Sequence, residues 1–173
     1  MLLEVMRSGA TLPGPADVED LYAMASGGET PGVAEVFATL YDLALDRRDL
    51  VAVTAQEAGE LVGFGYGHRW WWSEQTDEWS EDLGRQLGDD AALRLEGAFA
   101  IQLLAVHPTF THHGLGFEML KQLMVASAAD VHWLQTEDSD SPARRLFQRM
   151  GYRPLAHGPQ GTDGSPGLVL VHG

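Results

Sequence analysis

Hydrophobic positions in the first fifty residues follow helical spacing. Pro15–Ala25 begins with proline, carries its apolar side chains on one face and ends before two glycines, so it predicts a short helix. A second helix is predicted from Thr30-Pro31 to about Arg47-Arg48, because apolar residues recur there three and four positions apart. That stripe, which we expect to face a sheet, consists of Val33, Val36, Phe37, Leu40, Tyr41, Leu43 and Ala44.

Extended segments come next. Residues 50–54 and 61–72 are rich in valine, leucine and aromatic side chains and are joined by a polar turn, which predicts a β-hairpin. Gly63, Gly65 and Gly67 indicate close backbone contact or a bulge in the second arm, because no helix follows them as it would in a nucleotide loop. Residues 73–96 hold eight acidic side chains against two arginines and predict an excursion with one short helix.

The second half of the chain has a strand–helix–strand pattern. An apolar run over 98–106, a helical segment over 114–127 and a second apolar strand over 131–136 predict a β-α-β unit. Ser141 and Pro142 are typical of a helix start and Gly151 of its end, and strands are expected at 152–156 and 168–171. This order predicts one mixed α/β domain over residues 1–173.

Composition narrows the possible functions. Hydrophobic residues make up 45% of the 173 residues and charged ones 21%, as in soluble globular proteins. No apolar run approaches a membrane span and the start lacks the features of a signal peptide, so we expect a cytoplasmic protein without a membrane partner. Having no cysteine excludes disulfides, thiolate metal sites and an acyl carrier on cysteine.

The net charge of −14 disfavours nucleic acid as a partner. It suits cationic partners such as amines, although acidic charge can also serve solubility alone. Arginine outnumbers lysine ten to one, which suggests a GC-rich bacterial genome.

The segment that follows the apolar strand carries the clearest chemical signal. Leu104-Ala105-Val106 ends the strand, His107-Pro108 follows, and a loop with Gly114 and Gly116 leads into the helix. Free backbone N–H groups and the helix dipole can hold phosphate at such a helix start, and glycine lets the phosphate come close. A Gly-x-Gly before a helix is also common as a packing or capping feature, so a plain helix start remains an alternative.

Two motifs in this half resemble those of the GNAT acetyltransferases. Val106-His107-Pro108 followed by Thr111-His112-His113-Gly114-Leu115-Gly116 is similar to the family's Val-x-Pro and Arg/Gln-x-x-Gly-x-Gly/Ala. Asp140-Ser141-Pro142-Ala143, Leu146-Phe147 and Gly151-Tyr152 resemble its Asn-x-x-Ala, Leu-Tyr and Gly-Phe steps. The resemblance covers about residues 50–155. It implies a GNAT-like α/β fold, with a mixed, mostly antiparallel central sheet flanked by helices, a strand–loop–helix acyl-CoA site and a possible homodimer.

The resemblance also implies how a co-substrate would bind. The amides of Thr111, His112, His113, Gly114, Leu115 and Gly116 would hold the pyrophosphate of acetyl-CoA. The backbone of Leu104, Ala105 and Val106 would pair with the pantetheine arm, with Asp140 and Phe147 beside the cofactor. The implied reaction is direct transfer of the acetyl group to an amine of a small molecule or peptide, without metal or covalent enzyme intermediate.

Four positions depart from the family pattern. Thr111 replaces Arg or Gln, and His112 replaces a common glycine. Phe147 replaces a tyrosine that protonates the leaving thiolate, and Ala100 replaces a glutamate that draws a proton from the amine.

Other residues could deprotonate an amine through water. In order of preference they are Glu96, His68, and Glu137 or Asp138, each of which can also be an ordinary surface or packing residue. His112-His113 predicts no metal site, because adjacent histidines rarely bind one ion and no His-Glu-x-x-His spacing exists. The tryptophans at 70–72 and 79 are interpreted as core or a dimer contact, or as the wall of an acceptor pocket.

Two alternatives to an N-acetyltransferase remain open at this point. The missing acid and base favour a non-catalytic GNAT-like domain that binds acyl-CoA as a sensor or interaction module. A domain without any cofactor is the other.

Overall fold

A computed structural model describes residues 1–28 and 30–173. The strands are β1 (Leu2–Arg7), β2 (Val51–Glu57), β3 (Glu60–Arg69), β4 (Phe99–Val106), β5 (His132–Glu137), β6 (Arg153–Gly158) and β7 (Gly167–His172). The helices are α1 (Pro15–Ala25), α2 (Val33–Ala44), α3 (Glu78–Leu87), α4 (Asp89–Leu95), α5 (Leu115–Ser127) and α6 (Pro142–Arg149).

The strands form one open, mostly antiparallel sheet. Its order is β1-β2-β3-β4-β5-β7-β6. β4 and β5 pair in parallel, as the predicted β-α-β unit requires, and β1-β2, β2-β3, β5-β7 and β6-β7 are antiparallel. The predicted mixed α/β fold with a mostly antiparallel sheet flanked by helices is therefore confirmed.

Some elements differ from their sequence predictions. β1 was not predicted, because six residues with Glu4 and Arg7 among them carry too short a pattern to be recognised. The acidic excursion contains two helices, α3 and α4, separated by Gly88 with a positive φ of 75°, where a single helix was predicted. The second hairpin arm, β3, ends at Arg69 and leaves the tryptophan run outside the strand.

Contacts within the chain define two compact units. The first comprises Met1–His68 and Ile101–Ala128, and the second comprises Arg69–Ala100 and Ala129–Gly173.

An aromatic cluster forms the core of the first unit. Tyr41 of α2 packs edge-on against Phe64 of β3 with ring centroids 4.9 Å apart, and lies 5.1 Å from Tyr66. Its hydroxyl donates to the Pro13 carbonyl oxygen at 2.8 Å. Burial, together with the negative charge of Asp17, raises the pKa of Tyr41 to about 12. Tyr41 therefore remains a neutral donor that connects α2 to the segment before α1.

The apolar stripe of α2 is split between two environments. Val33, Tyr41 and Ala44 are buried and Phe37 is partly buried, as predicted. Val36, Leu40 and Leu43 are instead 42%, 46% and 69% exposed, so the prediction that they face the sheet was wrong. The mean directions of the two sets lie about 90° apart around the helix axis, and spacings of three and four residues do not separate them.

Alternate residues of β3 contact different layers of the first unit. Phe64 and Tyr66 join the cluster with α1 and α2, whereas a Cβ at Gly63 would lie 2.7 Å from the sulfur of Met119 on α5. At Gly65 a Cβ would lie 3.2 Å from the Leu103 carbonyl oxygen. The strand glycines therefore permit close contact, as the sequence indicated.

Tryptophan dominates the core of the second unit. Trp70 packs edge-on against Trp133 of β5 and Trp72, with ring centroids 4.9 Å and 5.4 Å away. Leu83, Leu87 and Leu95 from α3 and α4 join this cluster, which covers the face of β5 and β7 that carries Trp133 and Val169. Trp70 and Trp72 are thus core residues, while Trp71 and Trp79 are 40% and 37% exposed.

Two glycine-to-alanine changes in the second unit should have opposite effects. Gly84 lies inside α3 and a Cβ there meets nothing closer than Trp72 at 3.6 Å, so Gly84→Ala should raise the free energy of unfolding by about 1 kcal/mol. At Gly167 a Cβ would overlap the Pro159 carbonyl oxygen and the Gln135 side chain. Gly167→Ala should therefore cost about 3 kcal/mol. Urea unfolding of both variants checks this, and equal effects would contradict the packing described.

Candidate functional site

Residues 101–106, the larger part of β4, belong to the first unit, in which the strand order is β1-β2-β3-β4. The His107 N–H donates to the Val62 carbonyl oxygen at 2.8 Å on the β3 side. The ladder to β5 joins Phe99 to His132 and Ala100 to Trp133, the first two residues of an eight-residue strand. Leu104, Ala105 and Val106 lie beyond these pairs, so an extended ligand can add to their backbone as a strand does.

A 3-10 turn over Pro108–Phe110 follows β4. His107 Nδ1 accepts the Thr109 N–H at 3.2 Å, so the neutral imidazole carries its proton on Nε2. The Thr111 hydroxyl donates to the Pro108 carbonyl oxygen at 2.7 Å. Thr111, where the family has Arg or Gln, thus uses its side chain to stabilise the turn. The capping role of His107 was missed in the sequence, because it depends on the conformation of the turn.

Two residues in the loop have left-handed backbone conformations. His112 has φ 64° and Gly114 has φ 80°. Glycine adopts this conformation freely, and histidine does so at a cost in free energy. The common family glycine at the position of His112 therefore has a conformational reason.

Six consecutive amides, from His112 to Phe117, donate to no acceptor within the described residues. The hydrogen bonds of α5 begin with the Glu118 N–H, which donates to the Gly114 carbonyl oxygen at 3.1 Å, and no side chain caps the helix. The helix dipole adds partial positive charge at the same place. The loop can therefore bind an anion such as a pyrophosphate through backbone groups.

In the second unit, Asp140 lies just before α6. It forms an exposed ion pair with Arg145 at 2.7 Å. Asp138 accepts from His157 Nε2 at 2.8 Å and from Arg144 at 3.2 Å, and the hydrogen bond from His157 is the main cause that lowers the pKa of Asp138. Ser141 caps α6 by accepting the Arg144 N–H, as predicted.

Phe147 of α6 is buried and packs edge-on against Tyr152, with ring centroids 5.9 Å apart. Burial raises the pKa of Tyr152, whose hydroxyl has no hydrogen-bond partner among the described residues. The position of the usual tyrosine acid is therefore occupied by a packed ring without a proton to donate.

Ala100 is 1% exposed and belongs to the tryptophan cluster of the second unit. An ionised carboxylate at this position would be buried among apolar groups, which is costly. The alanine thus fits the core that α3 and α4 complete.

Neither preferred base candidate is a free side chain. Glu96 is exposed at the end of α4, and its Oε2 accepts the Trp72 N–H at 3.0 Å. His68 lies near the end of β3, is 9% exposed and takes part in a further interaction. Their predicted catalytic roles stay predictions.

No group of three or more metal-ligating side chains occurs in residues 1–28 and 30–173. Over the same part of the chain, no helix has both the length and the hydropathy that a membrane span needs.

The chain belongs to the acetyltransferase (GNAT) family, whose model matches residues 18–152. Membership of this family implies acyltransferase activity in general. No curated protein matches the chain in sequence.

Solved structures share the fold at low sequence identity. A GNAT-family protein from Desulfovibrio desulfuricans is 19% identical with a TM-score of 0.69, over 99% of this chain and 98% of its own. An aminoglycoside 6'-N-acetyltransferase in complex with coenzyme A is 12% identical with a TM-score of 0.63, over 98% and 96%. An acetyltransferase-like protein from Salmonella typhimurium, solved with its cofactor acetyl-CoA, is 13% identical with a TM-score of 0.58, over 98% and 92%.

Replacing the strained histidine should stabilise the loop. His112→Gly should raise the free energy of unfolding by roughly 0.5–1 kcal/mol, because glycine adopts a φ of 64° without the Cβ penalty. His113 has no such conformation, so His113→Gly should lower stability by a similar amount. Thermal unfolding of both variants without ligand checks this, and a His112→Gly variant that melts below the parent would contradict the strain.

Proposed function

We propose that the protein is an N-acetyltransferase that uses acetyl-CoA as donor and an amine of a small molecule or peptide as acceptor. The observation that carries the proposal is the run of six amides from His112 to Phe117, which have no acceptor among the residues that the structure describes, in a chain of the GNAT family. We further propose that residues 1–173 act as one acetyltransferase domain.

The residues that we assign to cofactor binding would contribute different kinds of contact. The backbone of Thr111 to Gly116 would bind the pyrophosphate, and the free edge of Leu104 to Val106 would pair with the amides of the pantetheine arm. Asp140 and Phe147 would contribute a polar and an apolar contact from the start and the middle of α6. Acetyl-CoA supplies an activated acetyl thioester when bound.

Proton transfer is the step for which the side chains differ most from the family pattern. Phe147 cannot protonate a leaving thiolate, and Ala100 cannot accept a proton. A coenzyme thiolate can leave without a protein acid when solvent supplies the proton, at a cost in rate. Glu96 and His68 are the bases that we propose for the amine. Asp138 is less suitable, because the lowered pKa of its carboxyl makes it a weaker base.

A second function is favoured by one observation. Ala100 lies in a closed apolar cluster and Phe147 packs against Tyr152, so both positions of the family acid and base are built into the core. A domain that binds acyl-CoA without turnover, as a sensor or interaction module, would have the same structure.

Binding is tested by thermal unfolding with and without acetyl-CoA. The parent should be stabilised by about 2.7 kcal/mol at a ligand concentration one hundred times Kd. Gly114→Asp should abolish this shift, because a carboxylate next to the amides repels the pyrophosphate. Gly114→Asn is the matched control, since both residues tolerate a positive φ and can cap a helix.

The Asn variant should keep most of the ligand shift, and both variants should fold. An absent shift in the parent would overturn the proposal in both its forms and favour a domain without a cofactor.

Turnover distinguishes the two functions. The chain has no cysteine, so a thiol reagent detects only the coenzyme A released when acetyl groups are transferred. With a panel of amines, thiol release above the rate without acceptor would support the transferase. Binding without turnover on any amine would support the non-catalytic module.

A further inference from the structure

The segment around the six amides has no permanently charged side chain. Gly97 to Phe117 contains no Asp, Glu, Lys or Arg, although charged residues make up 21% of the sequence and its net charge is −14. Three of the seven histidines, His107, His112 and His113, lie within this segment. Histidine is thus the only side chain type in the segment that can become cationic.

The three histidines differ in what their rings contact. His107 uses Nδ1 to cap the turn and packs edge-on against Phe110 at 6.1 Å. His112 and His113 are exposed, and their imidazoles have no partner within the described residues. Both lie among the amides that would bind the pyrophosphate, where the family has a cationic or amide side chain one position earlier.

On this basis we propose that the imidazoles of His112 and His113 bind the pyrophosphate of the cofactor in their protonated form, so that cofactor affinity depends on pH. The proposal rests on the proposed binding of acetyl-CoA at this loop. A protonated imidazole forms a charge-assisted hydrogen bond with a phosphate oxygen, and the neutral ring forms a weaker one.

The first charged residues after the loop in the sequence are Glu118 and Lys121 of α5. On α5, Glu118 and Lys121 are 3.8 Å apart and partly neutralise each other. A cavity of about 420 Å³ lies between the turn and the end of α1. It is lined by Ala23, Met24, Gly27, Gly28, His107 and Pro108, so His107 is its one titratable side chain. His107 is the one other titratable group of the turn, and its Nδ1 is already occupied.

The direction of the pH dependence follows from the coupling between proton binding and cofactor binding. A phosphate anion stabilises the protonated imidazole more than the neutral one, so proton binding and cofactor binding favour each other. Affinity should therefore be higher at low pH and fall as pH rises. A charge-assisted hydrogen bond is roughly twice as strong as a neutral one, so we expect affinity to be roughly five-fold higher at pH 6 than at pH 8 for one histidine and roughly 25-fold higher for two.

The test measures Kd at pH 6 and pH 8 at constant ionic strength, with acetyl-dephospho-CoA as the probe. This ligand keeps the pyrophosphate but lacks the 3'-phosphate, a monoester that itself titrates near pH 6 and would confuse the result. Acetyl-CoA and S-acetylpantetheine form the other arms. Both pyrophosphate ligands should bind more tightly at pH 6, and the pantetheine derivative should show no such dependence.

The decisive variant is His112→Asn with His113→Asn, because asparagine is neutral and tolerates the left-handed conformation of position 112. The double variant should lose most of the pH dependence. His157→Asn, which removes an exposed histidine of the second unit, is the control for a general change in net charge and should keep it.

The outcomes separate the two proposals. Equal pH dependence in the parent and the double variant, or none in a parent that binds acetyl-CoA, would overturn the histidine assignment alone. Failure of the parent to bind acetyl-CoA at either pH would overturn the proposed function as well. Thermal unfolding of each variant at both pH values checks that every Kd is measured on folded protein.

Discussion

Backbone N–H groups need acceptors, and six in a row, from the loop before α5 into its first turn, have none within residues 1–28 and 30–173. The conformation that produces this run depends on few residues. The 3-10 turn after β4 is held by the His107 ring and the Thr111 hydroxyl, and Gly114 takes the left-handed φ that begins α5 without a side-chain cap. An anion can supply acceptors for such a loop, and in the proposed function that anion is the pyrophosphate of acetyl-CoA.

The loop differs in charge from the rest of the chain. A net charge of −14 repels an anionic cofactor, and the loop carries no Lys or Arg to offset that repulsion. In the proposed complex, backbone amides and the imidazoles of His112 and His113 are the groups that would hold the phosphates. At position 112 the chain has a histidine with a positive φ, which costs conformational free energy that the usual glycine would not cost.

Local chemistry explains what the sequence predicted well. Ser141 and Pro142 at the start of α6, Gly151 after its end, and the apolar strands around α5 all act through residues adjacent in sequence, and each is found in the structure. The fold class and the parallel pairing of β4 with β5 followed from these elements.

The features that were not predicted depend on contacts between residues far apart in the sequence. The rotation that exposes Val36, Leu40 and Leu43 on α2 depends on which face meets Phe64 and Tyr66, and spacing alone does not contain that information. Ala100 was recognised as a missing base, but the tryptophan cluster that encloses it could be seen only once α3 and α4 were in place. The positive φ of His112 likewise depends on the turn that precedes it.

The most direct measurement follows the backbone amides of a ¹⁵N-labelled sample as acetyl-CoA is added. The amides of His112 to Phe117 should show the largest chemical-shift changes and slower hydrogen exchange in the complex, because each gains an acceptor or lies beside one that does. Saturable binding that leaves these six amides unchanged would contradict their role as the cofactor site.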